Sequence, residues 1–134
     1  MTGNCREIKF RVWDKDVKRM RICGDSPHDS FVFDHETNQI CYYNLQNGCG
    51  SLPDGTGTYK LMQYTGLKDK YGVEIYEGDI VQFKSIRGII ERYEVEYTNY
   101  GEWAIGMHRL SMRFKSCEVI GNVWEDGELL NDPE

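Results

Sequence analysis

The chain has 134 residues, a length that suits one domain or two very small ones. Its hydrophobic content of 40% and charged content of 28% are those of an ordinary soluble globular protein. The formal net charge of −6 lies entirely in residues 61–134, because residues 1–60 carry equal numbers of acidic and basic side chains. This acidic half argues against a nucleic-acid footprint there, since phosphate binding needs clustered Lys and Arg.

Nothing in the sequence indicates export, a membrane segment or a metal site. The N-terminal residues lack an apolar run behind a basic start, and no apolar stretch approaches the roughly 20 residues that span a bilayer. We therefore expect a cytoplasmic protein. The cysteines are odd in number and lack Cys-x-x-Cys spacing, so free thiols are favoured over a zinc site or a redox pair. These cysteines are Cys5, Cys23, Cys41, Cys49 and Cys117.

Residues 6–24 predict a β-hairpin, because apolar and polar side chains alternate on both arms. To place Val12 across from Met20, paired residue numbers must sum to 32, with a loop at residues 15–17. A one-residue slip that placed Arg21 opposite Phe10 would turn this arginine into the core, and we exclude that register because burying a charge is costly.

This register predicts a basic outer face in which Trp13 lies directly opposite Arg19. Residues 6–21 carry seven basic and three acidic side chains. An exposed tryptophan flanked by guanidinium groups can stack on a base and hold phosphates. The alternatives are a solvated strand face with a surface cation–π pair, or a cover over the C-terminal domain. The candidate nucleic-acid-binding residues are Lys9, Arg11, Trp13, Arg19 and Arg21.

Residues 30–43 predict a second hairpin with a four-residue loop at residues 35–38. Its arms pair Phe31 with Tyr42 and Phe33 with Ile40. Residues 44–58 contain four glycines and one proline, which is typical of a long loop or of a boundary between subdomains. They lack the lysine and spacing of a phosphate-binding loop.

The C-terminal half predicts several short strands up to Trp124. Its clearest turn is Asn99-Tyr100-Gly101, a three-residue hairpin loop with glycine at the left-handed position. This turn places Tyr97 across from Trp103, Val95 across from Ile105 and Tyr93 across from Met107. Residues 108–116 fit either a strand or one helical turn, and Gly121 is a candidate bulge in the last strand.

No segment has a convincing helical period, and many short strands with regular turns favour a barrel or a sandwich. We predict a mainly β protein with N-terminal β-hairpins packed on a C-terminal SH3-like β-barrel. The predicted domains are residues 1–58, which include the Gly-rich loop 44–58, and residues 59–134.

Four blocks of the sequence resemble one phage protein family. They are Ile8–Asp14, Met62–Asp69, Glu74–Val81 and Val119–Glu125. In these blocks and in their order the chain is similar to the YopX family of phage and prophage proteins. The resemblance implies a mainly β protein with an SH3-like C-terminal barrel, encoded by a phage or prophage in a bacterial host. It implies no activity, and no catalytic or binding residue is carried over from it.

The sequence favours a protein that is not an enzyme. Acidic pairs such as Glu94 with Glu96 lie on a predicted solvent face, and no triad signature is present. We expect no catalytic residue, cofactor, metal or small-molecule substrate. An interaction module is the favoured function, through self-association or a protein partner, because small β domains have sheet edges that can add a strand. The turn tyrosines Tyr64, Tyr71, Tyr76 and Tyr100 are candidates for such an interface. The alternative is a nucleic-acid-binding module that uses the basic face at residues 9–21.

Overall fold

The structure, a computed structural model, describes residues 7–52 and 54–131, which form a mainly β protein with antiparallel pairing throughout. The strands are β1 (Phe10–Asp14), β2 (Arg19–Ile22), β3 (Asp29–Asp34), β4 (Gln39–Asn44), β5 (Tyr59–Lys68), β6 (Glu74–Tyr76), β7 (Asp79–Lys84), β8 (Ile90–Tyr97), β9 (Trp103–Ile105), β10 (His108–Arg109) and β11 (Glu118–Asn122). Helical structure in these residues is limited to α1 (Leu110–Arg113) and to 3-10 turns at Phe114–Ser116 and Gly127–Leu130. The predicted fold class is therefore confirmed, while closure into an SH3-like barrel stays a prediction.

The chain forms two compact units, one of residues 9–63 and one that contains residues 64–131. Strand β5 begins in the first unit and ends in the second. A domain folds independently, and compactness alone does not show that either unit does so. The predicted domain boundary between residues 58 and 59 therefore stays a prediction.

In the first unit, β1 lies between β2 and the first half of β5, so both of its edges are paired. The hairpin of β1 and β2 is confirmed, but its predicted register is wrong by one residue. Paired numbers sum to 33: Val12 lies across from Arg21, and Trp13 lies across from Met20. The slip considered in the sequence analysis placed Arg21 across from Phe10, whereas the register that forms is shifted the other way and places Arg21 across from Val12.

The turn between β1 and β2 explains the shifted register. It has four residues, 15–18, instead of the predicted three. Asp14 holds it closed, since its Oδ1 accepts hydrogen bonds from the amides of Asp16 at 2.9 Å and Val17 at 3.2 Å. Lys18 takes a left-handed backbone conformation with φ of 57°, which is uncommon for a residue with a side chain. One additional turn residue reverses which β2 side chains face each side of the sheet.

The second hairpin forms as predicted. Strand β3 pairs only with β4 among the described strands, with Phe31 across from Tyr42 and Phe33 across from Ile40. Its loop covers residues 35–38 and ends at Asn38 with φ of 58°. The buried core of this unit combines residues from three strands, namely Val12, Tyr42 and Tyr59.

In the second unit, five strands form one sheet in the order β10-β9-β8-β7-β11. The second half of β5 pairs with β6, where Tyr64 lies across from Tyr76. The residues between 108 and 116 combine both predicted alternatives, a two-residue strand followed by α1 and a 3-10 turn. The buried core of this unit includes one connected cluster of Ile75, Val81, Phe83, Val95, Ile105, Leu110 and Cys117.

One turn and one bulge predicted in this unit are confirmed, and one predicted residue pair is wrong. The loop at residues 99–101 forms, and it pairs Tyr97 with Trp103 and Val95 with Ile105. Strand β9 ends at Ile105, so Met107 is fully exposed and does not pair with Tyr93. The register of β11 with β7 shifts between Val119 and Gly121, which is the predicted bulge.

Candidate functional site

The predicted nucleic-acid face is not formed as an exposed surface. Trp13 is 6% exposed and Arg11 is 7% exposed, so neither can present its side chain to a nucleic acid. Arg19 is exposed, but it lies across from Asp14 instead of Trp13. Lys9 and Arg21 are half-buried. The predicted exposure is wrong because β1 is covered on both faces, where the alternation argument assumed one solvated face.

Arg21 lies on the same side of its hairpin as the buried Val12, and its guanidinium is held by two side chains. Its Nη1 and Nη2 donate to the Asp29 carboxylate at 3.1 and 2.6 Å. Nη2 also donates to the Tyr42 hydroxyl at 2.6 Å, and that hydroxyl donates to Asp29 Oδ1 at 2.7 Å. A charged side chain can lie beside a core when it is paired and hydrogen-bonded. Asp29 and Tyr42 meet this condition for Arg21, and the alternation of apolar and polar residues does not reveal them.

Hydrogen bonding and burial in this cluster shift the pKa values of its members. Hydrogen bonding to Arg21 holds the pKa of Asp29 well below its usual range. Burial and the hydrogen bond to Asp29 raise the pKa of the Tyr42 hydroxyl. Burial raises the pKa of the Cys23 thiol to about 12, with the Asp29 charge adding to the effect. At neutral pH the cluster is therefore a fixed ion pair with a neutral tyrosine and a neutral thiol, which suits a structural tie between β2, β3 and β4.

The β3–β4 hairpin carries four exposed apolar side chains, which we call the hairpin patch: Phe31, Phe33 and Ile40 share one face, and Val32 lies on the other. Their exposed fractions are 41, 44, 41 and 51%. On one face Phe31 contacts Phe10 and Tyr42, with ring centroids at 5.2 and 5.7 Å. Contiguous exposed apolar side chains on a soluble protein mark sites of interaction.

The outer edge of β3 differs from the other sheet edges in the described residues. Strands β6 and β10 have only three and two residues, β11 contains a bulge, β2 carries Arg19 and Arg21, and β4 is bridged to Gly50 through Tyr43, all features that protect an edge from adding a strand. Strand β3 has six residues with no lysine, arginine, proline or bulge. It is therefore the best template for strand addition in the part of the chain that the structure describes.

The four turn tyrosines divide into two groups. Tyr64 and Tyr76 are buried, and their rings contact each other with centroids at 5.4 Å, so they form part of the interior. Tyr71 and Tyr100 are exposed, by 68 and 91%. Only the latter two can contribute to an interface.

Two acidic residues in the blocks that resemble the phage family have structural contacts. Asp69 Oδ1 accepts from the amides of Tyr71 at 2.8 Å and Val73 at 2.9 Å, and Oδ2 accepts from the Val119 amide at 2.9 Å. Asp79 Oδ2 accepts from the Tyr76 amide at 2.7 Å. Both carboxylates are buried and accept backbone hydrogen bonds at turns, so these two residues have a structural role.

The described residues contain no group of three or more His, Cys, Asp and Glu side chains placed to hold a metal ion. The cysteines among them, Cys23, Cys41, Cys49 and Cys117, are free thiols as predicted, and Cys5 lies outside the described residues. Within residues 7–52 and 54–131, no helix has the length and apolar character needed to cross a bilayer.

Comparison with known proteins decides the family. The family model described as YopX protein matches residues 9–131. The chain belongs to the YopX family. The crystal structure of protein EF1440 from Enterococcus faecalis is 28% identical and covers 94% of this chain and 99% of its own, with a TM-score of 0.61. The X-ray structure of yopX from Bacillus subtilis is 19% identical and covers 91% of this chain and 97% of its own, with a TM-score of 0.56. No curated protein matches this YopX-family chain.

Proposed function

We propose that this YopX-family protein is a non-enzymatic interaction module that self-associates through the outer edge of β3. The main observation behind this proposal is that β3 is a six-residue edge strand. No described strand pairs with its outer edge, and it carries part of the exposed hairpin patch. The proposal includes a phage or prophage gene of origin and a cytoplasmic location in the bacterial host, as the family resemblance implies.

The sequence of β3 supports a second copy of this chain as the occupant. A two-fold axis brings the same strand of each copy together in antiparallel orientation. Centred on Val32, this pairing puts Phe31 across from Phe33 and Ser30 across from Asp34. Cross-strand aromatic pairs of this kind stabilise a sheet by about 0.2–1 kcal/mol each. A register shifted by one residue would place Asp29 across from Asp34, two like charges, and is disfavoured.

Sedimentation velocity over a wide range of protein concentrations tests the proposal. A six-residue edge is a small interface, so we expect a dimer that dissociates at roughly micromolar concentration. Val32→Lys places two positive charges beside each other at the two-fold axis and should convert the dimer to a monomer. Val17→Lys is the matched control, because Val17 is an exposed residue of the β1–β2 turn and the substitution adds the same charge.

Three outcomes would contradict the proposal. The wild-type protein could remain monomeric at every concentration, the Val32→Lys variant could remain dimeric, or both lysine variants could dissociate equally. The last result would indicate a general effect of charge instead of a contact at β3. Nucleic acid that co-purifies and is lost in salt would instead support the nucleic-acid alternative.

A further inference from the structure

A pocket in the second unit has a composition that neither the family nor the proposed interface explains. It has a volume of about 450 Å³ and lies beside the β7–β8 turn, β10 and the segment 110–116. This volume is within the range of pockets that bind small molecules. We propose that it binds a small organic phosphate monoester.

The charge of the pocket indicates a dianionic ligand. Three cationic side chains, Lys84, Arg87 and Arg113, line it together with one carboxylate, Glu91, which gives a local charge of +2. The whole chain has a net charge of −6, so this concentration of cations is a local feature. A guanidinium fork combined with a lysine ammonium is a common arrangement for binding phosphate oxygens.

The single carboxylate of the pocket has two side-chain partners, Tyr93 and His108. The Tyr93 hydroxyl donates a hydrogen bond to Glu91 Oε1, and His108 Nε2 lies 3.9 Å from the same oxygen. No acidic side chain in residues 7–52 and 54–131 forms an ion pair with the three lining cations. Arg113 instead lies over the ring of Phe83, with 5.9 Å between Cζ and the ring centroid. The cationic groups therefore remain able to bind an anion.

Two hydroxyl groups and two aliphatic side chains complete the lining. The Ser85 Oγ accepts a hydrogen bond from the Ile89 amide at 3.2 Å, which leaves its own proton to donate to a phosphate oxygen. Ser116 also lines the pocket, but its hydroxyl donates to the Arg113 carbonyl at 3.0 Å. Phe83 and Ile89 add apolar surface beside the charged groups, while Ile86 is fully exposed. Apolar surface next to a cationic end fits an ester with an apolar organic group better than it fits inorganic phosphate.

Isothermal titration calorimetry with phenyl phosphate, inorganic phosphate and benzoate tests this assignment. We expect saturable one-to-one binding of phenyl phosphate, weaker binding of inorganic phosphate, and the weakest binding of benzoate, which carries a single charge. Arg113→Gln and Lys84→Gln should each weaken phenyl phosphate binding about tenfold or more, because each removes a charge-assisted hydrogen bond.

Lys115→Gln is the matched control, since Lys115 lies near α1 but its side chain lies over the Phe114 ring and does not line the pocket. This variant should bind phenyl phosphate with the affinity of the wild type. The proposal is wrong if phenyl phosphate does not bind, or if Lys115→Gln weakens binding as much as Arg113→Gln does. It is also wrong if a single-stranded oligonucleotide binds here while phenyl phosphate does not. Circular dichroism establishes that each variant is folded.

Discussion

At the scale of single residues, Asp29 makes the most consequential contacts in the first unit. Its side chain is almost fully buried, and it accepts hydrogen bonds from Arg21, from Tyr42 and from the Gly24 amide at 2.8 Å. Removing one partner of a buried charged pair costs more than the pair contributes, because the other charge stays behind without compensation. The observed β1–β2 register, which places Arg21 on the core side, therefore depends on Asp29 for its stability.

We expect Asp29→Asn to lower the free energy of unfolding at neutral pH by about 1–3 kcal/mol, the cost of losing hydrogen bonds to a charged group. The native pKa of Asp29 is lowered, so the ion pair stabilises the protein above about pH 4 and this contribution is lost as the pH falls further. Urea denaturation of both proteins between neutral and acidic pH measures this. The difference between them should shrink in acid.

Asp25→Asn is the control for this series, because Asp25 is exposed and lies in the same loop between β2 and β3. It should change stability by less than about 0.5 kcal/mol, as surface substitutions usually do. A stability difference between Asp29→Asn and the wild type that stays constant down to acid pH would contradict the ion-pair explanation.

The same residues show what the sequence could and could not predict. The β3–β4 register followed from alternation because its loop of four residues matched the apolar pattern on both arms. The β1–β2 register did not, because Arg21 on the core side became acceptable only through Asp29 and Tyr42, which are distant in sequence. The same limit applies to the candidate site, where the burial of Trp13 depends on neighbours that periodicity does not reveal.

At the scale of elements, the bulge in β11 depends on a close approach that only glycine permits. A Cβ at Gly121 would lie 2.5 Å from Asp126 Oδ2 and 2.9 Å from Asp126 Cβ. Asp126 in turn accepts a hydrogen bond from the Asn122 amide at 3.1 Å and donates its own amide to the Asn122 carbonyl at 2.8 Å. The bulge and the turn after it are therefore one packed structure.

We expect Gly121→Ala to lower the free energy of unfolding by about 1–3 kcal/mol, because the added methyl group must displace Asp126. Gly127→Ala is the matched control, since nothing lies within 4 Å of a Cβ at that position. Thermal unfolding of the three proteins compares them. Equal losses of stability in both variants would mean that the close approach to Asp126 is not the cause.

At the scale of the whole molecule, each compact unit has its own buried core and its own buried thiol. The first unit contains Cys41, and the second contains Cys117. In the described part of the chain, the second unit buries ten hydrophobic residues, against six in the first. Since buried apolar area drives folding, the second unit should be the more stable one.

We expect Cys41 to become reactive at a lower urea concentration than Cys117, which would also support the predicted division into two domains. Brief labelling with a maleimide at each urea concentration, followed by mass spectrometry of the peptides, follows the two thiols separately. The extent of labelling at each site is divided by its value in fully denaturing urea, which corrects for intrinsic reactivity. Coincident transitions would show one cooperative unit and contradict the division.

The four-residue turn after β1 has a consequence for how relatives of this protein can diverge. Deleting one of its residues would reverse the parity of β2, so that Arg21 would leave the side of Asp29 and Met20 would exchange faces. A single codon lost or gained in this turn would therefore convert an internal brace into a cationic surface, or the reverse. Insertions and deletions here should occur together with replacement of Asp29 and Tyr42, the two side chains that hold the guanidinium in place.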